Sequence, residues 1–318
     1  MMSAVRVLFM GTPDFAVASL VTLLEEGYDV IAVVTQPDRP QGRKRVLTPT
    51  PVKAEAERRG IPVLQPERLR RPEAVAQVAA LEPDLIVTAA YGQILPKAVL
   101  DLPRYGCINV HGSLLPKYRG GAPIQYALIN GEAVTGITIQ YMAEGIDTGD
   151  MLTKVEVPIT DEDTAGTLFA KLTVEGANLL RRTLPDLLTG KLIAEPQNEA
   201  EATHAPTIKR EDERIDWDQS ARAVFNQIRG LNPWPVAFTL LNGEVFKVQA
   251  SRLPSVGTPF SAGTVAGTVL RADGNGIEVV TGTGTLLLTE VQPAGKKAME
   301  AAAFCRGGGI QPGMVLGQ

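Results

Sequence analysis

Asn109 and His111 are alternate residues of one short run, Gly106-Cys-Ile-Asn-Val-His-Gly-Ser-Leu-Leu-Pro116, and His111 is one of only two histidines in 318 residues. In an extended segment alternate side chains share a face, so an amide and an imidazole converge there. An amide N–H is a fixed donor for an oxygen that gains negative charge during acyl transfer, and an imidazole both donates and moves protons. Asp147, in the loop Ala143-Glu-Gly-Ile-Asp-Thr-Gly-Asp150, is a carboxylate suited to orienting that imidazole or taking a proton through water. None of the three is a nucleophile. Ser113 follows closely but lacks the Gly-x-Ser-x-Gly elbow of a serine hydrolase, so the attacking group is expected on a substrate. Taken alone, His111 reads equally well as a hydrogen-bonded core residue at a strand end.

The elements that must hold these groups alternate. Residues 5–11 read as a strand buried on both faces. A helix should follow, capped by Thr12, begun by Pro13 and ended at Gly27. Strands are expected at 30–35, 62–64 and 85–90, with helices at 51–59 and 75–81 and a long Pro- and Arg-rich loop after the second strand. Alternation of this kind predicts an α/β fold, a Rossmann-like, mostly parallel sheet. The next strand, 107–110, leaves His111 at its carboxyl end, where open α/β sheets bind ligands. Two alternating strands, 136–142 and 151–157, flank the Asp147 loop. A long helix over 164–184, stopped by Pro185, closes this unit, and 190–208 reads as a polar linker. Beyond 209, one helix over 221–229 precedes short strands with turn signals, the pattern of a small antiparallel β-barrel of the OB-like type. The expected domains are thus 1–189 and 209–318.

Several classes are excluded. The first turn, Gly11-Thr-Pro-Asp-Phe15, has one glycine where a dinucleotide fold needs Gly-x-Gly-x-x-Gly, and no Gly-x-x-x-x-Gly-Lys-Ser/Thr loop is present. Two distant cysteines give neither a disulfide framework nor a zinc site, so no metal is expected. With no basic leader and no span of membrane length, a cytoplasmic protein is expected. The net charge of −4 disfavours nucleic acid as a partner, but its distribution is uneven. From Arg39 to Arg71 there are ten basic residues against three acidic ones. Such a stretch is either a phosphate-binding surface or a solvated face.

Asn109-Val-His111-Gly-Ser-Leu-Leu-Pro116, Tyr118-Arg-Gly120 and Asp147-Thr-Gly-Asp150 together resemble the core of the formyltransferases that use 10-formyltetrahydrofolate. Further stretches are similar to the branch of that family that acts on initiator methionyl-tRNA: Phe9-Met-Gly-Thr-Pro-Asp-Phe15, Thr35-Gln-Pro-Asp-Arg-Pro-Gln-Gly-Arg43, Ala90-Tyr-Gly-Gln-Ile-Leu-Pro96, Asn232-Pro-Trp-Pro235 and Gln292-Pro-Ala-Gly-Lys-Lys-Ala-Met299. The resemblance implies the formyltransferase fold, with Asn109, His111 and Asp147 as the catalytic trio. It assigns Ser113, Leu114, Leu115 and Pro116 to folate binding, with Ile94 and Leu95 as an apolar wall for the pterin. It gives the basic loop, with Arg43, Lys44 and Arg45, to the acceptor end of the tRNA. Lys209, Arg210 and the C-terminal domain would hold more of the tRNA backbone, and a monomer is expected. Two alternatives stay open: a formyltransferase acting on glycinamide ribonucleotide or an amino sugar, and an RNA-binding protein without the reaction. The Gly-rich ending from about Ala301 carries no reading.

Overall fold

The computed structural model describes residues 5–42 and 45–318, so the expected tRNA contacts Arg43 and Lys44 lie outside the described residues. The chain forms two compact units. One takes the chain up to Pro123 together with 134–158 and 169–206, and the other takes 124–133, 159–168 and 207–318.

The first unit contains strands β1 (Arg6–Gly11), β2 (Asp29–Val34), β3 (Arg39–Gln41), β4 (Val46–Thr48), β5 (Val63–Leu64), β6 (Leu85–Ala89), β7 (Cys107–His111), β8 (Val134–Tyr141) and β9 (Met151–Pro158). Seven form one sheet in the order β5-β2-β1-β6-β7-β8-β9. The pairs from β5 to β7 are parallel, and β8 and β9 are added antiparallel. Helices α1 (Asp14–Glu25), α2 (Pro51–Arg58), α3 (Pro72–Ala79) and α4 (Lys97–Leu100) make the crossovers. Burial on both faces explains why β1 after Arg6, and β6 apart from Thr88, are apolar.

Local chemistry departs from expectation in the turn after β1 and in the loop after β2. Thr12 does not cap α1, whose first flanking residue is Pro13 with no side-chain cap. Its hydroxyl instead donates to the Tyr91 carbonyl at 2.9 Å, tying the loop after β1 to the loop after β6. A Cβ on Gly11 would lie 2.6 Å from the Ala16 Cβ and 3.0 Å from the Ala89 carbonyl. That lone glycine therefore serves helix–strand packing. With Pro13 removing an N–H and Asp14 adding a negative charge in the first turn, the helix end is no anion cradle. The Pro/Arg-rich loop folds into the β3–β4 hairpin, Arg39 pairing with Thr48.

Two further helices follow, α5 (Pro123–Ile129) and α6 (Ala165–Leu188). Pro185 lies inside α6 and does not end it. A helical proline costs about 3 kcal/mol, but Leu184 and Leu187 on either side are buried, and two buried leucines contribute about 3–6 kcal/mol. Packing wins for one more turn.

The second unit holds α7 (Ala221–Gly230) and strands β10 (Phe238–Leu241), β11 (Glu244–Arg252), β12 (Val269–Asp273), β13 (Gly276–Val280), β14 (Thr285–Gln292) and β15 (Met299–Glu300), followed by α8 (Ala301–Arg306). Its strands form a curled antiparallel half-barrel, β10-β11-β14-β13-β12, with β15 on β14. Ser220 caps α7 by accepting from the Ala223 N–H. Trp217, Phe225, Phe246 and Phe304 are among its core residues. The Phe304 ring lies 5.3 Å from that of Phe246 and so fastens α8, unreadable in the sequence, to the sheet. Among the described residues no helix is long and apolar enough to cross a membrane.

Candidate active site

The register of the sheet assembles the site. In β7, Asn109 stands opposite Thr88 of β6 on one side and Gln140 of β8 on the other, while His111 stands opposite Thr138. The Thr88 hydroxyl lies 2.8 Å from Asn109 Oδ1. That contact turns the amide nitrogen the other way, 3.4 Å from Asp147 Oδ1. His111 is 5 % exposed. Its Nε2 lies 3.0 Å from the Tyr118 carbonyl, and a carbonyl only accepts, so the hydrogen-bond network assigns the ring proton to Nε2. Nδ1 then carries the lone pair and faces Asp147 Oδ2 at 3.6 Å, beyond hydrogen-bond range.

Asp147 is held from several sides. Oδ1 accepts from Gln140 Nε2 at 3.0 Å and Oδ2 from the Gly120 N–H at 2.9 Å. Its backbone is left-handed, with φ +52, a conformation that a non-glycine residue keeps only where its surroundings impose it. Close approach also dictates the neighbouring glycines. A Cβ on Gly149 would fall within 1.8 Å of the Tyr141 carbonyl, and one on Gly120 within 2.6 Å of the Ala205 carbonyl. The structure thus brings Asn109, His111 and Asp147 together on one edge.

The loop after β7 is firm. Ser113 is buried and donates to the Lys117 carbonyl at 2.6 Å. Thr138 Oγ1 accepts from the Leu115 N–H and donates to the Ser113 carbonyl. Leu115 and Pro116 are buried, whereas Leu114 is partly exposed. Ile94 is 67 % exposed and Leu95 belongs to the core of the first unit. Of these apolar residues, Ile94 and Leu114 are therefore the ones that keep exposed surface.

Reading the sequence missed Gln140, Gln197 and Arg119. Gln140 falls on the polar face of the alternating strand β8, between the apolar positions Ile137 and Ile139 and the strand end, yet it is buried. Gln197 lies in the expected linker, and that segment is pinned to the first unit. Ala205 N donates to the Arg119 carbonyl at 2.7 Å, Arg119 N to the Thr203 carbonyl at 2.9 Å, and Glu195 pairs with Met151. Arg119 is 3 % exposed and holds Glu199 through both guanidinium ends, and this bond keeps the Glu199 carboxyl below its usual range. Cys107, by contrast, is pushed up to about 12 by burial and is no nucleophile.

Much of the basic stretch is neutralised. Arg58 and Arg59 bind Glu55, which these bonds lower to about 2. Lys53 binds Asp38 at 2.6 Å and Arg39 binds Glu67 at 3.2 Å. Arg45, Val46 and Leu47 are exposed at the hairpin. In the second unit Lys209 is exposed near Glu211, while Arg210 pairs with Glu213 and lies 3.8 Å over the Phe238 ring. Among the described residues no cluster of His, Cys, Asp or Glu is arranged to hold a metal ion.

Family models described as "Formyl transferase" and "Formyl transferase, C-terminal domain" match residues 4–184 and 207–309. The chain belongs to the formyl transferase family. The chain is 57% identical over 314 residues to a methionyl-tRNA formyltransferase from Bacillus velezensis, and 58% identical over 313 residues to one from Bacillus subtilis. Each alignment covers 98% of both chains. Among solved structures, the sugar 3N-formyl transferase WlaRD shares the fold, with a TM-score of 0.67 at 18% identity over 92% of this chain and 99% of its own. HypX from Aquifex aeolicus gives a TM-score of 0.65 at 17% identity, covering 98% of this formyl transferase, which spans about half of that longer chain (49%).

Proposed function

We propose that this chain transfers the formyl group of 10-formyltetrahydrofolate to the α-amine of initiator methionyl-tRNA, giving the formylmethionyl-tRNA of translation initiation. The observation that carries the reading is the Asn109–His111–Asp147 cluster, in a chain so close over its whole length to two methionyl-tRNA formyltransferases.

The donor supplies an activated formyl group on N10, and the residues present suit it. An amide N–H and a buried imidazole lie side by side at the carboxyl end of β7, and Ile94 and Leu114 keep exposed apolar surface. As the amine nitrogen bonds to the formyl carbon, the formyl oxygen gains negative charge. Asn109 Nδ2 donates to that oxygen, a kind of contact worth about 100-fold or more in rate. His111 Nδ1 takes the amine proton, and Asp147, 3.6 Å away, stabilises the resulting imidazolium and orients the ring. The same proton returns to N10 as the carbon–N10 bond breaks. Ser113, Leu115 and Pro116 shape the folate-binding loop, and Leu95 backs Ile94 from the core.

The division of labour belongs to the same proposal. Residues 1–189 carry the reaction, 190–208 join the domains, and 209–318 hold the tRNA backbone through exposed residues such as Lys209, while Arg210 stays fastened to Glu213 and Phe238. Arg43, Lys44 and Arg45 meet the acceptor end, in a monomer working in the cytoplasm. The test is transfer of labelled formyl from 10-formyltetrahydrofolate to methionyl-tRNA, with glycinamide ribonucleotide and an amino-sugar nucleotide as competing acceptors. Turnover on either of these with none on methionyl-tRNA would move the acceptor. No turnover on any would leave an RNA-binding protein without the reaction.

A further inference from the structure

Arg119 and Asp147 are joined by two buried or half-buried amides whose orientation is forced from both ends. A guanidinium donates five N–H bonds and accepts none, and a carboxylate only accepts. Arg119 Nε lies 3.0 Å from Gln197 Oε1, so the Gln197 oxygen faces Arg119 and its NH2 faces away. That NH2 lies 3.1 Å from Gln140 Oε1, 2.8 Å from the Asp147 carbonyl and 2.8 Å from the Gly149 carbonyl. Gln140 therefore turns its own NH2 to Asp147 Oδ1, at 3.0 Å. Every donor in the series runs one way, from the cation to the carboxylate, and the far end is clamped by Glu199. The same Gln197 nitrogen also fastens the backbone on which Asp147 takes its left-handed turn.

We infer that Gln197, in the strap that links the two units along the chain, is a positioning residue for the reaction: through Gln140 and the loop backbone it sets the aim of the Asp147 carboxylate toward His111. The inference rests on the proposed formyl transfer with Asp147 beside the proton-accepting imidazole. Gln197 itself touches no substrate in this account, so its removal should slow the chemical step and leave binding intact.

Gln197→Glu tests this, because it keeps the size and the oxygen toward Arg119 but replaces the NH2 with an oxygen facing three acceptors. Gln197→Met keeps the length and removes both polar ends. For both variants kcat should fall about 10- to 100-fold, the scale of a misplaced catalytic group. KM for folate and for methionyl-tRNA should stay within about two-fold of the parent protein. The same cuvette series includes the unaltered protein. If that protein does not formylate methionyl-tRNA, the functional reading has failed and the inference falls with it. If it does, and either folded variant keeps kcat within about two-fold or loses rate through KM alone, Gln197 does not position Asp147. Loss of folding in both variants, read by circular dichroism, would also overturn it, since the residue would then be structural.

Discussion

At the edge of β7, Asn109 and Asp147 are each hydrogen-bonded on two sides by other protein groups, and His111, held through Nε2 at the Tyr118 carbonyl, is nearly inaccessible. On the β3–β4 hairpin, Arg45, Val46 and Leu47 are exposed, and the neighbouring cations Arg39, Lys53, Arg58 and Arg59 are tied to carboxylates. The first region spends its contacts on fixing a few donors before any substrate arrives, which is what stabilising a developing oxyanion requires. The second offers exposed side chains above cations already paired with carboxylates, which suits a polyanion held by many weak contacts. Changes at the proposed catalytic edge should therefore be felt singly and steeply, and changes on the surfaces proposed to face RNA gradually.

The sharpest break of that contrast is His111→Ala. Turnover should drop about 100-fold or more, while loss of the buried bond to the Tyr118 carbonyl costs about 1–3 kcal/mol of stability. Parallel rate assays and thermal melts separate the two, and near-normal turnover would remove the catalytic edge from the argument. Asp147→Asn comes next. The carboxylate accepts from Gln140 and Asn109 on one oxygen and from Gly120 on the other, so an amide must set its own NH2 against a donor whichever way it turns. Turnover should again fall about 100-fold, now with a loss of about 1–3 kcal/mol in urea unfolding. Unchanged stability would mean that the loop is held by Gln197 alone.

The same contrast governs what could be seen in the sequence. Asn109 and His111 were legible because a two-residue period in an apolar strand has one structural meaning, and Gly11 without companions ruled out a dinucleotide turn. Gln140 was hidden, since a polar residue alternating with isoleucines signals a solvent face, whereas here it stands opposite Asn109 and bonds Gln197 of the strap. Gln197 sits in a segment with no period at all, and its role exists only through contacts 48 to 78 residues away in sequence. Thr12 and Pro185 misled for a simpler reason: local propensities of about 1–3 kcal/mol were outweighed by a cross-loop hydrogen bond and by buried leucines.

Between the two extremes lies Asp38 at the base of the hairpin. It accepts from Lys53 and Gln65, both at 2.6 Å, and the Lys53 bond holds its carboxyl below the usual range. A lowered folded-state pKa means that this contribution is complete above the ordinary aspartate range and fades as pH falls through the depressed value. Asp38→Ala should thus lower the urea midpoint at neutral pH, and the gap to the parent protein should close in strong acid. A gap independent of pH would mean that packing, and not the ion pair, fixes the hairpin base.

The smallest effects should distinguish two adjacent cations. Lys209 is exposed and only 3.5 Å from an exposed Glu211, a surface pair worth little. Arg210 is occupied, paired with Glu213 and stacked on Phe238. If Lys209 meets a tRNA phosphate, Lys209→Ala should lower the salt slope of tRNA binding by roughly one unit and leave the melting temperature alone. Arg210→Ala should do the reverse, costing about 0.5–1 kcal/mol of stability through the lost cation–π contact, with little change in slope. Filter binding between about 50 and 200 mM salt, beside thermal melts, reads both. Equal slope losses with unchanged melting would show that Arg210 leaves Phe238 to meet the RNA, and would extend the loosely held surface into a residue that the free protein keeps fastened.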